Sequence, residues 1–265
     1  MNQTSHTQPS LFVSHGAPSL PLENGPTTTF FKQLGQTFPK PQAILCISAH
    51  WYTDMPLVSS APRMEMIYDF YGFPPELYEI KYPARGAPRL AEKVAALIQN
   101  AGFTIDTDPT RGLDHGAWVP LSMMFPQADI PVFQLAVQPR ESPDHHFRMG
   151  QALRTLRDEN ILILASGGAT HNLMDFRGQS AETAGFDYAL KFDTWLKNAV
   201  MTGDVDAILD YRKAAPEARR NHPTPEHFLP LLVALGAARD QPAGKIIHDG
   251  FTYGMLSMAA FRWGE

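Results

Sequence analysis

Four short apolar runs, each bounded by glycine, proline or polar residues, are the strongest pattern in the chain. They occupy residues 11–15, 43–50, 131–137 and 161–166. Short apolar runs rich in Val, Ile and Phe and closed by turn residues are typical of strands buried in a sheet. We therefore predict four buried strands at these positions.

Helix-like segments alternate with these strands. In residues 87–100, Leu90, Val94, Leu97 and Ile98 recur at helical spacing, and Gly102 follows as a stop signal. The same reasoning predicts helices at residues 146–158, 186–200, 205–211 and 225–235, and one more strand at 245–248. Such alternation favours an α/β fold. We predict one domain, residues 1–265, with a central, largely parallel or mixed sheet flanked by helices in three layers.

Three of the predicted strands lead into a histidine. His15 and His50 end the first two runs, and His171 follows the last run after a Gly-Gly turn. In open α/β sheets, ligands bind beyond the carboxyl ends of the strands, so imidazoles from different strands can meet around one ion. Each histidine alone is as readily a loop or helix-cap residue. The coincidence of three favours a metal site, and imidazole can also transfer protons near neutral pH.

Two further histidines lie in loops. His115 sits between Gly112 and Gly116, which indicates a tight backbone around the imidazole, while Asp114 can accept a hydrogen bond from a nearby amide. This setting favours a role for His115 in proton transfer beside the metal over ligation.

His227 belongs to the segment that opens the last predicted helix. Thr224 is predicted as its N-cap and Pro225 as its first residue, so that His227 projects from the first turn. Glu226 would project about 100° away around the helix. These two neighbours should therefore not both face one ion.

Composition and charge narrow the class of protein. The 265 residues are 44% hydrophobic and 18% charged, with a formal net charge of -5, and no Lys/Arg-rich tract is present. Nucleic acid is therefore not expected as a partner, and a small molecule is. The sequence shows no signal-peptide pattern and no apolar stretch near the roughly 20 residues of a membrane span, so we predict a cytoplasmic protein. Cys46 lies mid-strand and is interpreted as a small buried hydrophobic residue.

Five spaced motifs carry a resemblance to a known family. They are Ser14-His15-Gly16-Ala17-Pro18, Ser48-Ala49-His50-Trp51, Gly112-Leu113-Asp114-His115-Gly116-Ala117-Trp118, Thr170-His171-Asn172-Leu173 and Pro223-Thr224-Pro225-Glu226-His227. The set resembles the class III extradiol ring-cleaving dioxygenases, specifically their DOPA 4,5-dioxygenase branch, and it covers almost the whole chain. The resemblance implies a single α/β domain, a non-haem metal, and oxidative opening of a catechol by dioxygen beside its hydroxyl pair.

The resemblance also implies a role for each histidine. His15, His50 and His227 match the metal ligands of the family. His171 matches a histidine beside the metal that is either an additional ligand or an acid/base group, and His115 matches a histidine that assists from behind the ligands. Three neutral histidines leave a divalent site with a formal charge of about +2, instead of about +1 when a carboxylate completes it. We expect one divalent metal per chain, with Fe(II) for dioxygenase turnover and Zn(II) as an ion that also suits three histidines.

Two alternatives of other classes use the same residues. The first is a zinc hydrolase in which Glu226 or a histidine acts as general base. The second is a non-catalytic protein that binds zinc or a small molecule. Within the dioxygenase hypothesis, a substrate carboxylate needs a cation, and the sequence offers four arginines without choosing among them. They are Arg63, Arg85, Arg111 and Arg177. The oligomeric state stays open.

Overall fold

A six-stranded mixed sheet organises the chain in the computed structural model, which describes residues 7–238 and 240–264. The strands of the protein are β1 Ser10–Ser14, β2 Ala43–Ser48, β3 Leu57–Ser59, β4 Asp106–Asp108, β5 Val132–Gln134, β6 Ile161–Gly167, β7 Lys245–His248, β8 Phe251–Thr252, β9 Leu256–Ser257 and β10 Ala260–Trp263. The helices are α1 Pro26–Leu34, α2 Pro75–Glu79, α3 Pro88–Asn100, α4 His115–Met124, α5 Pro143–Leu153, α6 Asp187–Thr202, α7 Val205–Leu209, α8 Tyr211–Ala214, α9 Ala218–Asn221 and α10 Leu229–Gly236. Short 3-10 helices lie at Leu20–Leu22, Arg154–Glu159 and Leu173–Asp175.

The large sheet has the order β5-β2-β6-β1-β10-β7. Strands β5, β2, β6 and β1 run parallel, and β10 runs antiparallel to both of its neighbours. The carboxyl ends of β1, β2 and β6 therefore lie side by side at one edge. The predicted α/β fold with a largely parallel or mixed sheet is confirmed.

The sheet is buried on both faces. In β2, Ala43, Leu45 and Ile47 belong to one hydrophobic cluster, and Ile44 and Cys46 belong to the other. The first cluster includes buried side chains of α3, α5, α6 and α10, and the second includes those of α1 and α4. This is the three-layer arrangement that was predicted. Cys46 is fully buried, as expected for a small hydrophobic residue in the middle of a strand, and burial raises the pKa of its thiol.

The last predicted helix begins later than expected. Thr224 and Pro225 lie in a turn, and α10 starts at Leu229 with Pro230 in its first turn. A helix begun at residue 225 would carry Pro230 in its interior, where proline lacks the N–H needed to bond the carbonyl of Glu226. The prediction that His227 projects from a helix was therefore wrong, because the residue lies in the turn that precedes one.

No helix within residues 7–238 and 240–264 is both long and apolar enough to cross a membrane.

Candidate metal centre

Three histidines from distant parts of the chain converge beyond the edge of the sheet. His15 directly follows β1, His50 lies two residues past β2, and His227 lies in the turn before α10. The Nε2 atom of His50 is 3.1 Å from Nε2 of His15 and 3.2 Å from Nε2 of His227. Ligand nitrogens of all three rings lie within 4.8 Å of one another. The structure therefore brings together the three residues that were predicted as metal ligands.

The other ring nitrogen of each histidine faces a hydrogen-bond acceptor. His227 Nδ1 lies 3.1 Å from Oε1 of Glu226, and His50 Nδ1 lies 3.4 Å from Oδ2 of Asp69. A carboxylate oxygen can only accept, so Nδ1 carries the proton in His227, and the nearby Asp69 carboxylate favours the same tautomer in His50, which leaves a lone pair on Nε2. Carboxylates behind metal-binding histidines commonly fix the ring in this way. They also place two negative charges behind the three neutral ligands.

His15 obtains the same tautomer from a longer chain of contacts. Its Nδ1 lies 2.9 Å from the hydroxyl of Ser166, and that hydroxyl donates to the backbone carbonyl of Gly116. Because the single hydroxyl hydrogen is used there, Ser166 accepts from Nδ1–H of His15. The Gly116 carbonyl is available because Pro120, four residues on inside α4, has no N–H to donate to it.

These residues fit a divalent ion. The nitrogens lie at hydrogen-bond distance from one another but have no hydrogen between them. Their lone pairs therefore repel one another, and a shared cation removes this repulsion. Nitrogens bound tetrahedrally to one zinc at about 2.0–2.1 Å lie roughly 3.3–3.4 Å apart, close to the spacing seen here. Burial, with the neighbouring histidines, lowers the pKa of His15 and His227 and lowers that of His50 to about 3. The three imidazoles are therefore neutral at neutral pH.

Asp69 links the metal centre to His115. Its Oδ1 accepts from Nδ1–H of His115 at 2.8 Å and from the His115 backbone N–H at 3.0 Å. The His115 and His50 rings have centroids 3.9 Å apart. Burial raises the pKa of Asp69, but the hydrogen bonds and electrostatic attraction from His115, with a smaller contribution from His50, outweigh it and lower the pKa to about 2. Asp69 thus fixes the orientation of the His115 ring beside the centre.

Sequence reasoning missed Asp69. It lies in the loop between β3 and α2, flanked by Tyr68 and Phe70, and it stands at no characteristic spacing from any of the histidines. Only the fold of that loop over the sheet edge brings its carboxylate to two imidazoles. The one available signal was an acidic residue in a segment otherwise rich in aromatic residues and proline.

His171 lies against His227 without joining the three-nitrogen group. The two rings are stacked with centroids 3.4 Å apart and an interplanar angle of 6°. A nitrogen of His171 lies within 4.8 Å of a carboxylate oxygen of Glu226 and a nitrogen of His227, and the group that these three form does not include His15 or His50. Burial, with the nearby charges of His50 and His115, lowers the pKa of His171 to about 3. The ring is neutral and able to accept a proton.

Backbone contacts hold the stacked pair together. The amide of Gly168 donates to the His227 carbonyl at 2.9 Å, the amide of His171 to the Asn221 carbonyl at 3.0 Å, and Nε2–H of His222 to the Ala169 carbonyl at 3.0 Å. These bonds fasten the loop after β6 to the segment before α10.

Gly167 allows this close approach. A Cβ at this position would overlap the carbonyl oxygen of His227. Glycine is therefore required where β6 ends, for a steric reason that the sequence pattern alone did not indicate.

Arg111 is engaged inside the protein. It donates to Oδ2 of Asp114 at 2.6 Å and to the His50 carbonyl at 3.3 Å. Buried Asp114 also accepts from the Ser48 hydroxyl at 2.5 Å, and it caps α4 by accepting from the Ala117 amide at 3.2 Å, as predicted for a nearby amide. Arg111 therefore supports the backbone of His50 through Nη2, while its buried Nε has no hydrogen-bond partner among the described residues.

The other arginines predicted for a substrate carboxylate lie elsewhere. The guanidinium of Arg177 donates to the carbonyls of Met174 and Phe176 in its own loop. Arg63 and Arg85 face each other across an isolated backbone bridge.

Comparison with known proteins gives the family. The family described as the catalytic LigB subunit of aromatic ring-opening dioxygenase matches residues 3–262. The 4,5-DOPA dioxygenase extradiol of Beta vulgaris is 41% identical over 267 residues, or 99% of each chain. The protein of the same name from Escherichia coli (strain K12) is 38% identical over 264 residues, covering 98% of this chain and 96% of the relative. A crystal structure of an uncharacterized protein from Escherichia coli K12 matches with a TM-score of 0.81 and 34% identity, covering 97% of this chain and all of that one.

The chain belongs to the family of the catalytic LigB subunit of aromatic ring-opening dioxygenases. Its enzyme class is extradiol ring-cleaving dioxygenase, an oxidoreductase, as the sequence motifs indicated. Family and histidine cluster together indicate a non-haem metal, a small aromatic substrate and dioxygen. The relatives favour neither the zinc hydrolase nor the non-catalytic binding protein.

Proposed function

We propose that this protein uses dioxygen to open the ring of a catechol that carries a DOPA-like side chain, with Fe(II) held by His15, His50 and His227. One observation carries the proposal. The Nε2 atoms of three histidines lie together, and the rings of His115 and His171, which are not among the three, lie against those of His50 and His227. The curated relatives named 4,5-DOPA dioxygenase extradiol support the substrate class.

The ligand set leaves room for substrate. Three protein ligands leave coordination positions open, as two catechol oxygens and dioxygen require. Iron supplies, when bound, the electron transfer that lets a catechol react with dioxygen. Zinc has no redox chemistry, so a zinc-loaded protein should bind a catechol without turning it over.

His115 is suited to receive a substrate proton. Asp69 holds Nδ1–H and leaves Nε2 as an acceptor within the site. A catechol hydroxyl that loses its proton here gains a negative charge, and the ionised Asp69 carboxylate stabilises the imidazolium that forms. Asp69 thus serves as the residue that orients both His50 and His115.

His171 is proposed as an acid/base group instead of a fourth ligand. Its ring lies face to face with His227, so the stack holds it beside the centre, where its lone pairs can reach a bound molecule. A neutral imidazole of lowered pKa is a weak base in the free enzyme. A catecholate close by favours the protonated ring and raises that pKa, which allows His171 to take a proton early and return it to oxygen later.

Anaerobic reconstitution tests the proposal. Metal-free protein is loaded with Fe(II) or Zn(II) under nitrogen, mixed with a catechol, and exposed to air. We expect the ferrous protein to form a yellow semialdehyde-type product with consumption of one dioxygen per ring, and the zinc protein to form none. Inert ferrous protein across a panel of catechols would contradict the proposed function.

A further inference from the structure

A cavity of about 550 Å³ lies beside the metal centre. Its wall includes Tyr52, Asp54 and Arg140 on one side and Thr224 and Glu226 on the other. Tyr52 is two residues from the ligand His50, and Glu226 contacts Nδ1 of the ligand His227. The cavity therefore borders the segments that carry two of the three proposed ligands.

The cavity presents one basic side chain, Arg140, and two acidic ones, Asp54 and Glu226, and Arg140 and Asp54 lie next to each other. Nη1 of Arg140 lies 3.3 Å from Oδ1 of Asp54, and the two side chains are 88% and 87% exposed. An exposed pair at this distance contributes little to stability. Most of the five guanidinium donors of Arg140 and the acceptor capacity of Asp54 remain available to a ligand.

The two loops that carry these charges are fixed to one another. The Thr53 amide donates to the Val137 carbonyl at 3.0 Å, and the Val137 amide donates to the Trp51 carbonyl at 3.0 Å. Arg140 follows in a tight turn closed by the Glu141 amide and the Gln138 carbonyl at 2.9 Å. The backbone therefore sets the spacing of Asp54 and Arg140, which lowers the entropy cost of binding a ligand that contacts both.

We propose that Asp54 and Arg140 form the subsite for the α-amino acid end of a catechol substrate, with Arg140 pairing the carboxylate and Asp54 pairing the ammonium group. This inference rests on the proposed function, which places the catechol ring at the metal. The planar guanidinium matches a carboxylate in two parallel hydrogen bonds. The exposed ring of Tyr52 offers an aromatic surface for the carbon chain between the two ends.

Four catechols whose side chains carry different charges test the subsite. L-DOPA carries both charges, dihydroxyphenylpropionate the carboxylate alone, dopamine the ammonium alone, and 4-methylcatechol neither. With ferrous protein, we expect Arg140→Gln to raise KM about 5- to 30-fold for the first two compounds only. Asp54→Asn should raise KM for L-DOPA and dopamine only, and turnover of 4-methylcatechol should be unchanged in both variants.

A variant remote from the cavity controls for net charge. Arg148 is exposed on α5 beside Phe103, so Arg148→Gln removes the same charge without altering the cavity, and it should leave all four KM values unchanged. Equal loss on all four catechols in Arg140→Gln would overturn the subsite. So would the carboxylate-specific pattern appearing in Arg177→Gln in place of Arg140→Gln.

Binding without turnover separates this inference from the proposed function. The zinc-loaded protein and its variants are titrated with the same four compounds by calorimetry. Weaker L-DOPA binding in Arg140→Gln and Asp54→Asn, with 4-methylcatechol binding unchanged, supports the subsite even if ferrous protein proves inert. L-DOPA binding that is unchanged in both variants overturns it, whatever the ferrous protein does.

Discussion

Two pairs of histidines meet at one centre, but the chain holds them by different means. His15 and His50 stand at the ends of β1 and β2, which flank β6 in register across the middle of the sheet. His171 and His227 lie in loops, joined to each other by ring stacking and by hydrogen bonds between the two loops. The sheet fixes the first pair, whereas the second pair is fixed mainly by contacts between its own two loops.

This difference in how the two pairs are held predicts different roles for them. A ligand on a strand end is positioned by the most buried part of the protein, where rearrangement is costly. A residue in a loop can adjust as substrate binds, which suits a group that must accept a proton and return it. The strand-end pair is therefore expected to govern metal retention, and His171 is expected to govern proton transfer.

Removing a strand-end ligand should have the largest effect. We expect His50→Ala or His15→Ala to lose most bound metal and at least about 10³-fold in kcat/KM, because both ligation and substrate orientation fail together. Metal content by mass spectrometry and single-substrate kinetics measure this. Circular dichroism should show an intact fold. Near-normal metal content in either variant would contradict the assignment of the replaced histidine as a metal ligand.

Removing His171 should separate activity from metal binding. We expect His171→Gln to lower kcat by about 10²- to 10⁴-fold, the range typical of general acid–base groups, while the variant still binds about one ion per chain. Metal content and kcat are measured on the same preparation. Parallel loss of both would show that His171 is a ligand, and would remove the distinction between the two pairs.

The strand-end pair could be predicted from the sequence because its position depends on the local hydrophobic pattern. Buried strands are recognisable in a sequence as short apolar runs, so the residue that follows each run is expected at the sheet edge. The loop pair depends on tertiary contacts. Pro225 looked like a helix start by local rules, but the helix begins at Leu229 with Pro230 in its first turn, although α4 accommodates Pro120 in its interior. Neither the His171 stack nor the requirement for glycine at residue 167 has a sequence period, so neither could be predicted.

The oriented carboxylates allow a matched test of the two regions. Asp69 contacts Nδ1 of His115 and His50, and Glu226 contacts Nδ1 of His227 with a nitrogen of His171 within 4.8 Å. We expect Asp69→Asn to lower activity about 10- to 100-fold, the range typical of groups that orient metal ligands. Glu226→Gln should weaken metal binding with a smaller loss of kcat, because it leaves His115 in place. Metal affinity and kcat are measured for both, and identical profiles would show that the link from Asp69 to His115 is unimportant.

The smallest predicted effect tests how the strand-end pair acquires its rigidity. Pro120 leaves the Gly116 carbonyl open to the Ser166 hydroxyl, which orients His15. Pro120→Ala restores an N–H that competes for this carbonyl, and we expect metal affinity to fall about threefold to tenfold, with Ser166→Ala at the upper end. Pro143→Ala, in the first turn of α5, is the control and should not alter it.

The double variant decides whether these residues act through one chain of contacts. If Pro120 acts only by freeing the carbonyl that Ser166 uses, its replacement has nothing left to disturb once the hydroxyl is gone. Metal affinity of Pro120→Ala/Ser166→Ala should then equal that of Ser166→Ala alone, since coupled residues are not additive. Additive losses would mean that Pro120 acts through the packing of α4 instead. In that case the tautomer of His15 would depend on Ser166 without help from the helix.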